Sequence, residues 1–219
     1  MPTYVIIGAS RGIGLEIVRQ LATESENTVV AVVRNINASK YLAEFIANGG
    51  RQNVHVLQAD VVDDAAMKRM QYSSYAQKAA ENVSGIGNGA VDVLIHNASP
   101  PCTEDSSIST TAHLIIDAKT WTNSFKANAL GVVHSVNAFL PLLRKGSAKK
   151  IVVIGTSMGH LDFTWKLRIE TGVAYGASKA AADLIVTKYA ALLEDESFIV
   201  TGLLPGLVDT SATAIDARK

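Results

Sequence analysis

Six short stretches of the chain are largely apolar and rich in β-branched residues: Tyr4–Ile7, Thr28–Val33, Val54–Gln58, Val91–Ile95, Ile151–Ile154 and Phe198–Leu203. Near-continuous apolar runs, rather than alternating ones, are expected of strands covered on both faces. Between them lie Gly12–Thr23, Ala38–Asn48, Asp64–Ser84, Thr120–Lys145 and Tyr175–Glu194, which have helical periodicity or helix-forming composition. Repeated strand–helix alternation predicts an α/β fold with a parallel, doubly wound sheet, right-handed crossovers and helices on both faces. Two loop-rich stretches, Ser99–Thr111 and Gly159–Gly172, follow strands. Ligands of open α/β sheets bind outside the carboxyl ends of the strands, so both stretches are candidates to border a site. No internal repeat or low-complexity linker divides the chain. One α/β domain is expected over residues 1–210. Residues 211–219 are expected to form a loose C-terminal tail.

Two helical stripes carry polar members. Trp121, Phe125, Asn128, Val132, Val136, Phe139 and Leu143 recur at helical spacing, so Asn128 is expected to be buried and to need partners. Backbone groups and a water near a reaction centre serve equally well. Tyr175 and Lys179 are four residues apart at a helix start, on the stripe that continues through Ala182, Val186, Tyr189 and Leu193. A Lys⁺ beside a phenol favours its ionised form, which turns tyrosine into a proton donor and acceptor near neutral pH. The same spacing also fits a core tyrosine with a snorkelling lysine.

The chain has 219 residues, 48% hydrophobic and 18% charged, enough apolar material for one sizeable core. Twenty basic and twenty acidic residues balance to zero without blocks, which points away from nucleic acid and membrane surfaces. The lone Cys102 excludes an internal disulfide and reads as an incidental thiol of a reducing compartment. No signal-peptide pattern precedes the first strand, and no apolar run approaches the roughly 20 residues of a membrane span. A cytoplasmic protein is expected.

The first strand runs into Gly8-Ala-Ser-Arg-Gly-Ile-Gly14 and then a helix. Glycines there permit a tight turn and a close backbone approach to pyrophosphate, at a helix N-terminus suited to anions. The spacing is G-x-x-x-G-x-G rather than G-x-G-x-x-G. Folds of this kind carry an acid about 20 residues further on, for a ribose 2′-hydroxyl. Here that position is Arg34, at the end of the second strand, with Arg11 inside the glycine loop. Arginine pairs with a 2′-phosphate where an acid repels it, so NADP(H) is expected over NAD. After the fifth strand come Gly155, Thr156 and Ser157, hydroxyls where a substrate oxygen would lie. His55, His96, His113, His134 and His160 show no metal-ligand spacing, so no metal is expected.

Taken together in this order, these residues resemble the short-chain dehydrogenase/reductase family, from Tyr4 to Thr210. Gly8, Gly12 and Gly14 match its glycine motif. Asp60 matches the residue that contacts adenine. His96-Asn97-Ala98-Ser99 corresponds to its N-N-A-G motif, with His96 and Ser99 as departures. Ile7 replaces the usual threonine before the first glycine. Asn128 falls on the helix asparagine of the catalytic tetrad, and Tyr175 with Lys179 on Y-x-x-x-K. Pro205-Gly206-Leu207-Val208-Asp209-Thr210 matches the nicotinamide-side loop. The family's serine usually stands where this chain has Asp162. Aligning the strand end instead places Thr156, or its neighbour Ser157, on that role, with an insertion inside Gly159–Gly172. Within the family the chain is most similar to C-factor-like and fungal ketoreductase-like members.

The resemblance implies an NADPH-dependent carbonyl reductase with catalytic residues Asn128, Thr156, Ser157, Tyr175 and Lys179. The cofactor would be held by Gly8, Ser10, Arg11, Gly12, Ile13, Gly14, Arg34, Asp60, Val61, Asn97, Ala98, Tyr175, Lys179, Pro205, Gly206, Val208 and Thr210. It also implies a small-molecule carbonyl or alcohol substrate and a homodimer or homotetramer. Family members usually continue for a further helix and strand, which bears on the lid and on the tetramer contact. Phe163 and Trp165 hint at an apolar or aromatic substrate. A non-catalytic NADP sensor or scaffold, and an epimerase or dehydratase without net redox, stay open; net NADPH consumption separates them from a reductase.

Overall fold

The computed structural model describes residues 1–49, 52–63, 89–100 and 118–213. Its strands are β1 (Thr3–Ile7), β2 (Thr28–Val33), β3 (Val54–Gln58), β4 (Val93–His96), β5 (Lys150–Ile154) and β6 (Ile199–Leu203). The described helices are α1 (Gly12–Leu21), α2 (Lys40–Gly49), α3 (Ala118–Phe125), α4 (Gly131–Leu143), α5 (Leu161–Lys166) and α6 (Val173–Leu192), with a π-helical turn over Lys126–Leu130 joining α3 to α4. All strands pair in parallel, in the order β3-β2-β1-β4-β5-β6. The order reverses between β1 and β4, which opens a crevice at their carboxyl ends.

The apolar runs bury both faces of the sheet, and their alternation sorts the two cores. Val5, Ile7, Val30, Val32 and Val153 face Val132, Val136, Phe139 and Leu143 of α4 and Ala182 and Val186 of α6. Ile6, Val29, Ala31 and Val33 face Leu15 and Val18 of α1 and Leu42 of α2. Each core side chain of this size contributes about 1.5–3 kcal/mol by leaving water. Away from the crevice, buried Asp92 accepts hydrogen bonds from Thr3 N at 2.8 Å and from Ser147 N and Oγ at 2.9 Å. Burial by itself raises its pKa, but these bonds outweigh burial and leave the pKa lowered.

Several expected boundaries move. β4 begins at Val93 rather than Val91, because the Val91 N–H donates to Leu142 O at the end of α4. The long helix expected over Thr120–Lys145 is split by the π turn, which shifts the stripe's phase. Phe125, expected inside, is therefore exposed and stacks on Trp121 at 6.3 Å. Strand β6 departs from burial on both faces: it pairs with β5 alone among the described strands, and Ile199 and Leu203 are exposed. The Gly159–Gly172 loop contains the short helix α5. The tail is not loose throughout, since Ser211–Thr213 form a 3₁₀ turn and Thr213 Oγ accepts the Gly12 N–H at 2.9 Å. The expected helix Asp64–Ser84 and Cys102 lie outside the described residues, as does most of Ser99–Thr111.

Candidate active site

The glycine loop is shaped by contacts that only glycine permits. Gly8 has φ +82°, and a Cβ there would lie 2.8 Å from the Ala98 backbone. A Cβ on Gly14 would lie 2.2 Å from Gly8 O and 2.7 Å from Asn97 Nδ2. Asn97 closes the turn, donating from Nδ2 to Gly8 O at 3.1 Å and from its backbone N to Ile7 O at 2.9 Å. Adjacent strand ends β1 and β4 are thus locked together where the crevice opens. The side chain of Arg11, at the N-cap of α1, makes no capping bond, so the first turn of α1 receives no cap from it.

A cleft of about 870 Å³ runs along these strand ends. Of the residues expected around a cofactor, Gly8, Ser10, Arg11, Gly12, Ile13, Arg34, Asp60, Val61, Asn97, Ala98 and Thr210 line it. Gly14 packs behind the loop instead. Pro205, Gly206 and Val208 do not line the cleft, nor do Asn128, Thr156, Ser157, Tyr175 and Lys179. The sequence reading missed Asn35 and Ser39 beside Arg34, Lys126 on the far wall, and Thr213. Their only sequence signal is polarity, which many solvated positions share. Among the described residues, Arg11, Arg34 and Lys126 give the cleft three cationic side chains against one acid, Asp60. A close-approach glycine turn, a helix N-terminus and flanking arginines fit a phosphate-rich dinucleotide.

A second group of residues gathers where β5 meets α6. Lys179 is 4% exposed, donates from Nζ to Ile154 O at 2.8 Å, and holds Nζ 5.9 Å from the centre of the Tyr175 ring. Burial lowers its pKa from 10.5 to about 8, against the opposing charge of Asp183. The ammonium therefore persists at neutral pH. Tyr175 is half-buried one turn earlier on the same face. The strand-end loop crosses this helix on two glycines. A Cβ on Gly159 would lie 2.9 Å from Ala180 N, and one on Gly176 2.9 Å from Met158 O. This close crossing brings Thr156 and Ser157 to the helix start. Thr156 Oγ1 accepts the Met158 N–H at 3.4 Å, capping the Ser157–Gly159 turn.

Asn128 sits in the π turn, 1% exposed, and donates to Ser178 Oγ at 2.9 Å; Ser178 Oγ in turn donates to Tyr175 O at 2.8 Å. The expected buried amide is thus tied to the tyrosine's own turn through Ser178, a residue the sequence reading did not single out. Its Oδ1 has no hydrogen-bond partner among the described residues. His96, at the end of β4, is fully buried, with Nδ1 3.0 Å from Ser135 Oγ. Burial, and secondarily the charge of Lys179, push its pKa down to about 3, so it is neutral.

The fold and this pair of sites define a doubly wound α/β dinucleotide-binding protein. The chain matches the short chain dehydrogenase family over residues 2–218, and it belongs to that family of oxidoreductases. It is 38% identical over 221 residues to the short-chain dehydrogenase/reductase atnB of Arthrinium sp, covering 97% of this chain and 77% of that protein. It is 35% identical over 214 residues to the short chain dehydrogenase virK of Hypocrea virens, covering 96% and 75%. Among solved structures, the NADPH-bound carbonyl reductase from chicken fatty liver superposes with a TM-score of 0.79 at 21% identity, over 99% of this chain and 81% of that one. At that identity the likeness speaks to the fold. No described helix is long and apolar enough to cross a membrane.

Proposed function

We propose that this chain is an NADPH-dependent carbonyl reductase acting on a small apolar or aromatic ketone or aldehyde. The observation that carries the reading is the buried ammonium of Lys179 held 5.9 Å from the Tyr175 ring centre, beside the strand-end hydroxyls. A buried ammonium is costly unless it acts on a partner, and here the partner on its own helix face is a phenol. A bound reduced nicotinamide would supply the hydride that the carbonyl carbon accepts. Tyr175 donates its phenolic proton to the carbonyl oxygen. Lys179 favours the phenolate left behind and holds the nicotinamide ribose. The hydroxyl of Thr156 or Ser157 donates a hydrogen bond to the same oxygen as charge develops on it. Asn128 Oδ1, buried with no protein partner among the described residues, suits a water that returns protons to Lys179.

Arg34 and Arg11 favour NADPH by pairing with its 2′-phosphate. The chicken protein of the same fold is an NADPH-bound carbonyl reductase, in keeping with this choice. Exposed Leu161, Phe163 and Trp165, on the helix that follows the strand-end loop, offer an apolar wall to the substrate. The test is NADPH oxidation across a panel of ketones, aldehydes and quinones, with Tyr175→Phe alongside. The variant should bind NADPH as the wild type does and lose at least about a hundredfold in kcat. Retained turnover would reject the role of Tyr175.

A further inference from the structure

Asp183 lies one helical turn beyond Lys179 on α6 and has no part in the mechanism above. Its Oδ2 lies 3.4 Å from His160 Nε2 and makes no regular hydrogen bond among the described residues. Its Oδ1 reaches within 3.3 Å of where a side chain on Gly155 would begin, and within 3.6 Å of the same point on Gly202. The carboxylate is therefore slotted beneath the carboxyl ends of β5 and β6, where a larger residue at 155 would displace it. His160 is the last residue of the strand-end loop that carries Thr156 and Ser157. That loop meets α6 through close backbone approaches at Gly159 and Gly176, which are non-directional, and through this imidazole–carboxylate contact.

The charges around it are few. Lys179 is faced by His96 from β4 and by Asp183 and Tyr175 from its own helix. Asp183 is faced by Lys179 and by His160. The strand ends Ile154–Thr156 and Leu203–Leu204 bring no titratable side chain. Burial pushes the Asp183 pKa up, while His160 and Lys179 hold it down; Asp183 in turn supports the proton on Lys179 against burial.

We propose that Asp183 is a positioning residue: it holds His160, and with it the loop bearing Thr156 and Ser157, onto α6, and it sets a carboxylate one helical turn from the Lys179 amine. The proposal rests on the reading of Tyr175 and Lys179 as an acid and its tuner. Its experiment therefore has an arm that needs no turnover. The titration of Lys179 is measured in the free protein by competitive acylation, read by mass spectrometry of the Lys179 peptide. Asp183→Asn should lower the Lys179 midpoint by about one pH unit, the scale for removing a nearby opposite charge. Asp183→Glu, which keeps the charge, should hold the midpoint at its wild-type value. In the turnover arm, Asp183→Asn should lower kcat about tenfold through misplacement of the loop, with NADPH affinity unchanged. The alkaline limb of its kcat/KM profile should move to lower pH by the same unit.

A Lys179 titration unmoved by Asp183→Asn overturns the proposal whether or not turnover is found. A shifted titration in a protein that reduces no carbonyl supports the coupling and refutes the acid–base reading instead. Should Asp183→Asn fail to fold, His160→Ala carries the loop half: kcat falls at least about fivefold with NADPH affinity intact, and His160→Gln restores most of it. An unchanged kcat in His160→Ala overturns that half.

Discussion

Lys179 should weaken the fold that it serves. Burial brings its pKa from 10.5 to about 8. Each unit of that gap corresponds to about 1.4 kcal/mol, so at pH 7 holding the proton on the buried amine costs about 3 kcal/mol relative to a neutral side chain. The sign follows from proton counting. Between about pH 8 and pH 10.5 the unfolded chain binds a proton here that the folded chain has released, so stability from this group rises with pH across that window. Below pH 8 the cost is present in full. Lys179→Met removes it but also removes the 2.8 Å bond to Ile154 O, worth about 1 kcal/mol. The net gain at pH 7 is therefore about 2 kcal/mol. Urea unfolding at pH 7 and at pH 10 tests this directly. The variant should be more stable at the lower pH, lose that advantage by the higher one, and lack reductase turnover. A variant less stable than wild type at pH 7, or a difference that does not change with pH, would refute the reasoning.

Three further outcomes are expected. His96 is neutral when folded and titrates at about 3, whereas the unfolded residue binds its proton below about 6.5; wild-type stability should thus fall as pH drops through that range, and His96→Asn should flatten the slope in urea melts between pH 4 and 7. Arg34→Asp should weaken NADPH binding by at least about tenfold while sparing NADH, measured by fluorescence titration, and equal wild-type affinities for the two cofactors would sink the assignment. Thr156→Ala and Ser157→Ala separate the two hydroxyls: the one that faces the developing charge should cost about a hundredfold in kcat, and the other less than about tenfold.

The legible part of this protein was its local pattern. Thr28–Val33 and Val54–Gln58 emerge with their expected bounds: β2, inside the sheet and buried at every position, is apolar or β-branched throughout, while the edge strand β3 is marked by its β-branched and apolar Val54, Val56 and Leu57. The glycine loop was equally readable, since backbone crowding at Gly8 and Gly14 excludes every side chain. Tyr175 and Lys179 were found by helical spacing and do share a face beside the strand ends. Where the pattern misled, a non-local contact had intervened. The π turn at Lys126–Leu130 is invisible in composition, yet it exposes Phe125 and turns Asn128 onto Ser178. Thr213 looked like a residue of a loose tail until the fold brought it across more than two hundred positions to Gly12.

By itself, the sequence determined which segments are strands and helices, which faces they bury, and that a phosphate-suited turn and a phenol–ammonium pair exist somewhere on the molecule. Those are consequences of near-neighbour sterics and of periodicity, which act within a few residues. Only the tertiary structure decided the strand order that splits β1 from β4 into a crevice, and the placement of Arg34 and Arg11 on one cleft. It also decided the crossing of the Thr156–His160 loop over α6 at Gly159 and Gly176, and the clasp of His160 on Asp183. These depend on how distant faces pack against one another. Many pairings satisfy the same local pattern, and the packing of the whole core selects among them.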